Sequence, residues 1–365
     1  MITTLDVGGA EMHLLAQVSG QARRGHAVRV VWLKGAGSIA PDFRAAGALS
    51  AARSAPWALG AHLRDADVVH SHLLKADMLT ALVATLSGRG ACLVASKHND
   101  EQVLLRGAVS RIHGLLGNLP RRTIVLSDHV GRFVAEHGRV APRRLRRIYY
   151  GLDPAPFEAA AALPPAQRSA LRAGFGFLPD DAVFVCVARF APQKAHDVLL
   201  RGFAAACTRT PGLRLLLVGD DPFGDGRARA EALARELALD GRVVFAGIRR
   251  DVPALMAMSD VFVMSSLWEG LGLVFLEAMA TGIPVLATRV SAVPEVVVEG
   301  ETGVLVPPSD ERALAAAIEA LAADPDRRAR MGARGRARVR AVFGLERMVE
   351  ETLAVYAEVL AERGR

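Results

Sequence analysis

The sequence predicts an α/β protein built from two doubly wound, Rossmann-like domains. Three observations carry this. Short apolar runs of strand length alternate with helical patterns along nearly the whole chain. Each half has a glycine loop between a strand and a helix, Gly8-Gly9 in the first and Gly270-Leu271-Gly272 in the second. The chain has 365 residues, 51% hydrophobic and 23% charged, which is long enough for two cored domains.

The first domain is expected over 1–155. Residues 2–5 read as its opening strand. Gly8-Gly9-Ala10-Glu11 follows, then an amphipathic helix that stops before Gly25, then a strand over 27–33. Two glycines are a weaker signal than a full G-x-G-x-x-G. Further strands are expected at 68–70, 92–95, 123–126 and 146–149, with helices between them. A doubly wound sheet places its first strand centrally, where a strand needs ~5–6 residues. Only Met1 to Leu5 precede Asp6. Either the reading frame is expected to extend upstream, or the first domain is expected to be the less stable one.

Residues 154–179 are rich in Ala and Pro and read as a hinge with one helix, 165–173. The second domain is expected over 156–344. Its strands fall at 183–187, 213–218, 243–245, 261–264, 285–287 and 304–306. Its helices fall at 197–208, 228–237, 251–258, 274–280, 310–322 and 325–342. A last helix is expected over 345–362.

Composition excludes several classes. No apolar run approaches the ~18 residues that span a bilayer, and no basic region followed by an apolar core opens the chain. Cys92, Cys186 and Cys207 are too few and scattered for a disulfide framework. A cytoplasmic location is therefore expected, with peripheral attachment to the inner face of a membrane as an option. Net charge is +7, and residues 1–155 hold 20 Lys+Arg against 11 Asp+Glu. The basicity peaks at Arg139, Arg143, Arg144, Arg146 and Arg147. Residues 139–147 could lie against an anionic membrane or an acidic substrate, or simply be a solvated loop. No nucleic-acid-binding module is present. The basic residues are 41 Arg and only four Lys, so each Lys invites a question.

The stretch 265–281 carries the chemistry. An apolar strand runs into Gly270 and Gly272, and a helix follows. N–H groups that open such a helix favour an anion, typically phosphate. Glu269 lies on the loop and Glu277 eight residues on, within the helix. Carboxylates flanking a phosphate suit hydroxyl groups on either side of it, and a nucleotide-sugar has that layout. The plainer alternative is an amphipathic helix with two solvated acids. His98, in Ser96-Lys97-His98-Asn99-Asp100, ends a strand, where doubly wound sheets place ligands. His70 and His72 share a strand face, but no third metal ligand is evident. Asp65-Ala66-Asp67 reads as a helix-to-strand turn and Asp324-Pro325-Asp326 as a helix cap rather than a metal site.

Residues 269–284 resemble the pattern E-G-x-G-x-x-x-x-E-A-x-A-x-G-x-P of the family 4 retaining glycosyltransferases. The likeness extends over nearly the whole chain and is more specific in the second half. It implies the GT-B arrangement: two domains facing a cleft, with the last helix returning so that 345–365 belongs to the first. Glu269 would contact the donor sugar and Glu277 the ribose, within a donor loop of Gly270, Leu271, Gly272 and Leu273. Arg189 and Lys194, in Val187-Ala188-Arg189-Phe190-Ala191-Pro192-Gln193-Lys194, would neutralise the diphosphate without a metal or cofactor. Ala195 stands where the family usually has Gly. His98 would contact the donor sugar, with Asn99 intervening before the acid. Gly247 and Ile248 would pack against the base through backbone. Gly8 and Gly9 would offer backbone N–H groups to the donor phosphate or to the acceptor. Ser291-Ala292 replaces both glycines of the family's G-G-x-P-E stretch.

The activity so implied moves a sugar from a UDP- or GDP-sugar to a sugar or lipid-linked acceptor hydroxyl with retention, in glycolipid, capsule or exopolysaccharide assembly. No side chain stands out as a covalent nucleophile, and the family suggests front-face attack with the leaving phosphate taking the proton. The rivals are a nucleotide-sugar epimerase of the same architecture and a non-catalytic sugar-nucleotide binding protein.

Overall fold

The computed structural model describes residues 1–88, 92–222 and 224–363. The last two positions of the expected returning segment 345–365 lie outside them. The chain falls into two units, Met1–Leu152 with Phe343–Arg365, and Asp153–Val342. In chain order the first contains α1 (Gly9–Arg23), β1 (Arg29–Trp32), α2 (Ala40–Ala45), β2 (Ser50–Arg53), α3 (Leu59–Leu63), β3 (Val69–His72), α4 (Leu74–Leu86), β4 (Leu93–Lys97), α5 (Gly107–Leu116), β5 (Arg122–Val125), α6 (Asp128–Glu136) and β6 (Leu145–Arg147). The second contains α7 (Ala155–Ala161), α8 (Pro165–Ala173), β7 (Ala182–Val187), α9 (His196–Cys207), β8 (Leu213–Val218), α10 (Gly226–Glu236), β9 (Val243–Gly247), α11 (Val252–Met258), β10 (Val261–Met264), α12 (Leu273–Thr281), β11 (Val285–Thr288), α13 (Val293–Val296), β12 (Gly303–Val306), α14 (Glu311–Ala323) and α15 (Pro325–Val342). The last helix, α16 (Leu345–Arg363), belongs to the first unit.

The second unit has a six-stranded sheet in the order β12-β11-β10-β7-β8-β9. Every ladder in it is parallel. Parallel sheets are covered by helices on both faces, so their strands must be apolar throughout. Accordingly Val183, Phe184, Val185, Leu215, Leu216, Val261, Phe262, Val285 and Leu286 have no exposed surface. The chain enters the sheet at β7, builds outward to β9, and then returns to the other side of β7 with β10. The strand order therefore reverses between β7 and β10, and the loops leaving their C-terminal ends part there. Gly282, with φ of 84°, ends α12 in the left-handed region, and Ile283-Pro284 prevents continuation. Gly332 of α15 lets the two helices touch at backbone, since a Cβ there would meet Gly282 O at 1.8 Å.

The first unit has the four-stranded sheet β3-β4-β5-β6 and the pair β1-β2. The expected opening strand over 2–5 is reduced to one residue. Ile2 bridges in parallel to both Trp32 and His72, and so sits between the two groups of strands. Its neighbours still pair on both sides: Ile2 N donates to Val31 O at 2.9 Å, and His72 N to Met1 O at 2.8 Å. α16 packs on this sheet through Val349, Val355 and Val359 against Val94, Ile124 and Ile148. Gly20 of α1 makes room for it, since a Cβ there would stand 2.4 Å from Val349 Cγ2. Sequence reading missed β2 and α7. Ser-Ala-Ala-Arg holds no β-branched or aromatic residue. The α7 segment is alanine-rich, with a proline in its first turn, where proline is tolerated. No described helix is long and apolar enough to cross a membrane.

Candidate functional site

Lys194 ends a 3-10 turn, Pro192–Lys194, that follows β7. The next residue, Ala195, takes the left-handed conformation with φ of 45°. Contacts from the loop after β10 hold this turn. Ser265 Oγ donates to Lys194 O at 2.9 Å and to Ala195 O at 2.8 Å. Leu267 N donates to Gln193 O at 2.8 Å, and Gln193 Nε2 to Trp268 O at 2.6 Å. The two loops at the reversal point therefore lock into each other.

That locking brings Lys194 Nζ to 2.5 Å from Glu269 Oε1, with side chains only 13% and 6% exposed. Ser266 Oγ donates to the same oxygen at 2.6 Å. Thr288 Oγ1, at the end of β11, donates to Ser266 O at 2.5 Å and fixes that residue in turn. Glu269 Oε1 thus takes two donors, and among the described residues Oε2 takes none.

Gly272 caps the N-terminus of α12 with φ of 81°. A Cβ there would lie 2.5 Å from the Phe275 ring, so conformation and space both require glycine. Leu271 is buried, and Leu273 opens the helix, whose first N–H groups point into the loop. Glu277 is half-buried. Burial pushes its carboxyl up from 4.5 to about 7. Among the described residues no side chain pairs with it.

Arg189 is exposed after β7 and has no ion-pair partner among the described residues. Backbone approaches closely behind it, since a Cβ on Gly219 would meet Ala188 O at 1.9 Å. Gly247 ends β9 with φ of 67°, and Ile248 beyond it is 67% exposed. Arg189, Lys194, Gly247, Ile248, the 269–273 loop and Glu277 thus gather at the C-terminal side of one sheet. Ser291 takes φ of 44°, so the glycine-like conformation survives the substitution there.

In the first unit His98 follows β4 and is buried with both ring nitrogens engaged. Nε2 faces His72 Nδ1 at 2.9 Å, and Nδ1 faces the Tyr150 hydroxyl at 2.9 Å. Burial, with Lys97 beside it, pushes its pKa down to about 3. Burial likewise holds His13, His70 and His72 well below the usual histidine range. The cluster is therefore neutral. His70 is held by Tyr356 and Ser96 at 2.7 Å each. Among the described residues no group of His, Cys, Asp or Glu is arranged for a metal ion. Asp324 Oδ1 accepts from Arg327 N at 2.8 Å and is a helix cap.

Beside the Gly8-Gly9 loop, a Cβ on Gly8 would lie 2.5 Å from Glu11 Oε2, whereas one on Gly9 would meet nothing within 4 Å. Glu11 Oε1 accepts from Thr4 Oγ1 at 2.7 Å. Within 139–147, Arg139, Arg143 and Arg147 are exposed, and most of the guanidinium groups have partners. Arg146 makes a fork to Glu358, Arg147 pairs with Asp128 at 3.0 Å, Arg144 donates to Pro120 O, and Arg139 donates to Ser110 Oγ. The side chain of Arg143 has no hydrogen-bond partner among the described residues, and that of Arg144 has only the Pro120 carbonyl. Sequence reading also missed the supporting residues Gln193, Ser265, Ser266 and Thr288. Its one available signal was a pair of serines directly after an apolar strand.

The family description "Glycosyl transferases group 1" matches residues 167–338, and "Glycosyltransferase Family 4" matches residues 7–156. A GDP-mannose-dependent alpha-(1-6)-phosphatidylinositol monomannoside mannosyltransferase from Mycolicibacterium smegmatis is 35% identical over 273 residues, covering 70% of this chain and 68% of its own. The N-acetyl-alpha-D-glucosaminyl L-malate synthase of Bacillus anthracis is 28% identical, covering 81% and 76%. Among solved structures, Anabaena HepE in complex with UDP superposes with a TM-score of 0.87 at 22% identity, covering 98% of each chain. A glycosyltransferase from Rickettsia africae gives 0.85 at 18% identity, covering 98% and 97%. These likenesses show the GT-B fold. With two Rossmann-like units, both family matches and a curated relative aligned over two thirds of its length, the chain belongs to the group 1, family 4 glycosyltransferases.

Proposed function

We propose that this glycosyltransferase moves a hexose from a UDP- or GDP-sugar to an acceptor hydroxyl with retention of anomeric configuration. The observation that carries the reading is the Lys194–Glu269 pair at the β7/β10 reversal, beside the glycine-capped start of α12. A diphosphate at that helix start would meet backbone N–H groups and two cations, Arg189 and Lys194. Charge grows on the leaving diphosphate as the glycosidic bond breaks, and fixed cations stabilise that charge most in the transition state. Glu269 keeps Oε2 for a donor-sugar hydroxyl, and Glu277 accepts from the ribose. Gly247 and Ile248 lie along the base.

In this scheme the neutral His98 meets the donor sugar by exchanging its bond to His72 or to Tyr150 for one to a sugar hydroxyl, and does not act as a general acid. Front-face attack, with the leaving phosphate taking the acceptor proton, then fits the residues present. The Gly8-Gly9 loop of the first unit offers its N–H groups to the donor phosphate or to the acceptor, and the Glu11 carboxylate beside Gly8 favours acceptor hydroxyls. The names of the relatives support both bases, GDP in the mannosyltransferase and UDP in HepE. A glycolipid, capsule or exopolysaccharide acceptor remains the assignment, made at the inner face of the membrane. Direct membrane contact through 139–147 would rest on Arg143 with Arg144.

The test is incubation with a panel of UDP-, GDP- and ADP-sugars in EDTA, with the product linkage read by proton NMR. The expected product keeps the donor's anomeric configuration and forms without a divalent ion. An inverted linkage, or activity that requires an added divalent ion, would overturn the scheme.

A further inference from the structure

At the N-terminal ends of β5 and β6, opposite the strand ends that carry His98, Arg121, Arg122, Arg143, Arg144 and Glu362 line a cavity of about 330 Å³. The topology explains the cluster. Arg121 and Arg122 begin β5, and Arg143 and Arg144 lie in the 3-10 turn Pro142–Arg144 just before β6. The end of α16 brings Glu362.

Four guanidinium groups thus face one carboxylate, which is already bound to Arg122. Glu358 also pairs with Arg122, at 2.6 Å, and is shared with Arg146. The side chains of Arg121 and Arg143 have no partner among the described residues. Backbone carbonyls hold the other two arginines: Arg144 donates to Pro120 O and Arg122 to Arg121 O, each at 2.8 Å. Arg122 Nε and Arg144 Nε are buried without partners. Burial and the three neighbouring arginines depress the Arg144 guanidinium.

Like charges gathered this closely repel. Arg122 is answered by Glu358 and Glu362, whereas Arg121, Arg143 and Arg144 have no carboxylate partner among the described residues. Paired guanidinium forks match the tetrahedral oxygens of a phosphate. We propose that this cavity binds a phosphate group carrying more than one negative charge, at a site separate from the donor site. The chemistry fits a soluble pyrophosphate-like anion or the phosphomonoester headgroup of a lipid. The proposal stands on the first unit alone and does not depend on the reading of Arg189 and Lys194.

The test is calorimetric titration of the full chain with pyrophosphate, in the wild type, in Arg189→Ala and in Arg121→Gln/Arg143→Gln. Neither arginine of the double variant has an internal partner, so its melting temperature and donor turnover should match or exceed those of wild type. Pyrophosphate should bind wild type and Arg189→Ala alike, and the double variant at least tenfold more weakly. Sedimentation with phosphatidic acid vesicles in phosphatidylcholine separates the sources. Pelleting that the double variant loses and pyrophosphate displaces assigns a lipid headgroup; tight pyrophosphate binding without pelleting assigns a soluble anion. If neither probe distinguishes the double variant from wild type, the site does not exist, whatever the donor panel shows.

Discussion

Replacing Glu277 by Gln should move stability and nucleotide affinity in opposite directions. Burial raises the Glu277 carboxyl from 4.5 to about 7 in the folded chain. The neutral acid is therefore the form that folding prefers. The relative stabilisation is fully present below 4.5 and is lost as pH rises through 7. A tenfold change in proton affinity is worth about 1.4 kcal/mol, so the penalty at pH 8 approaches about 3 kcal/mol. Gln is nearly the shape of the protonated acid and has no charge to desolvate. In a unit of this size 1 kcal/mol moves a melting temperature by ~2–4 °C. Glu277→Gln should therefore raise the melting temperature of the ligand-free protein by roughly 6–12 °C at pH 8 and by little at pH 4.5. In the proposed donor site the same change removes a charged acceptor for ribose hydroxyls, worth ~1.5–3 kcal/mol. Affinity for UDP or GDP should then fall about tenfold to 150-fold. Calorimetric melting at the two pH values and titration with nucleoside diphosphate read both effects. Equal melting at pH 8 would show that the carboxylate is well solvated. Unchanged nucleotide affinity would remove the ribose role.

Arg189→Ala and Lys194→Ala should differ in stability although both residues are proposed to meet the diphosphate. Arg189 is exposed and partnerless among the described residues, so its loss should cost under ~0.5 kcal/mol of stability and about 100-fold in turnover. Losing Lys194 leaves Glu269 buried without its cation, for a further ~3–5 kcal/mol of stability; equal melting of the two variants would contradict the pairing. Ala195→Gly should stabilise by about 1 kcal/mol in denaturant titration, because φ of 45° strains any side chain; a loss of stability would show that the strain is absent. Gly272→Ala should cost ~1–3 kcal/mol and weaken donor binding, since the new methyl meets Phe275; a wild-type melting curve would refute this.

Local signals were legible in the sequence, and long-range pairing was not. β10 matches its expected span because it is an unbroken apolar run, and β8 because residues 215–218 form one, preceded by Leu213 and Arg214. β2 escaped because four small or polar residues carry no pattern of their own, and only pairing with β1 makes them a strand. At the site, the glycines and both glutamates were legible, since their spacing is local. The Lys194–Glu269 bond was not, because 75 residues separate the partners. The partners of the basic stretch were hidden for the same reason. The acid that answers Arg146 comes from α16, 212 residues away, and a segment's own charge says nothing of it. The partners of His98, His72 and Tyr150, were not legible because they lie on other strands and loops.

The Lys194–Glu269 pair also limits how the proposed donor site can work. If Lys194 turned wholly to the diphosphate, Glu269 would keep only the Ser266 hydroxyl on Oε1 and would be left as a nearly uncompensated buried charge. If it stayed wholly with Glu269, the leaving group would have Arg189 and the helix start alone. The geometry favours sharing. The ammonium has three donors. One is directed at Oε1 at 2.5 Å and one makes only a long contact to Met264 Sδ at 3.9 Å, which leaves at least one for phosphate oxygens. Glu269 then keeps its cation, the diphosphate gains one, and Oε2 remains for a sugar hydroxyl. Arginine would be a poor substitute, because its planar fork would tend to take both carboxylate oxygens. This difference accounts for a lysine here in a chain that otherwise uses arginine for 41 of its 45 basic residues. Lys194→Arg should therefore restore much of the stability lost in Lys194→Ala but little of the turnover. Recovery of both together would mean that charge alone, and not the number and direction of donors, is what this position requires.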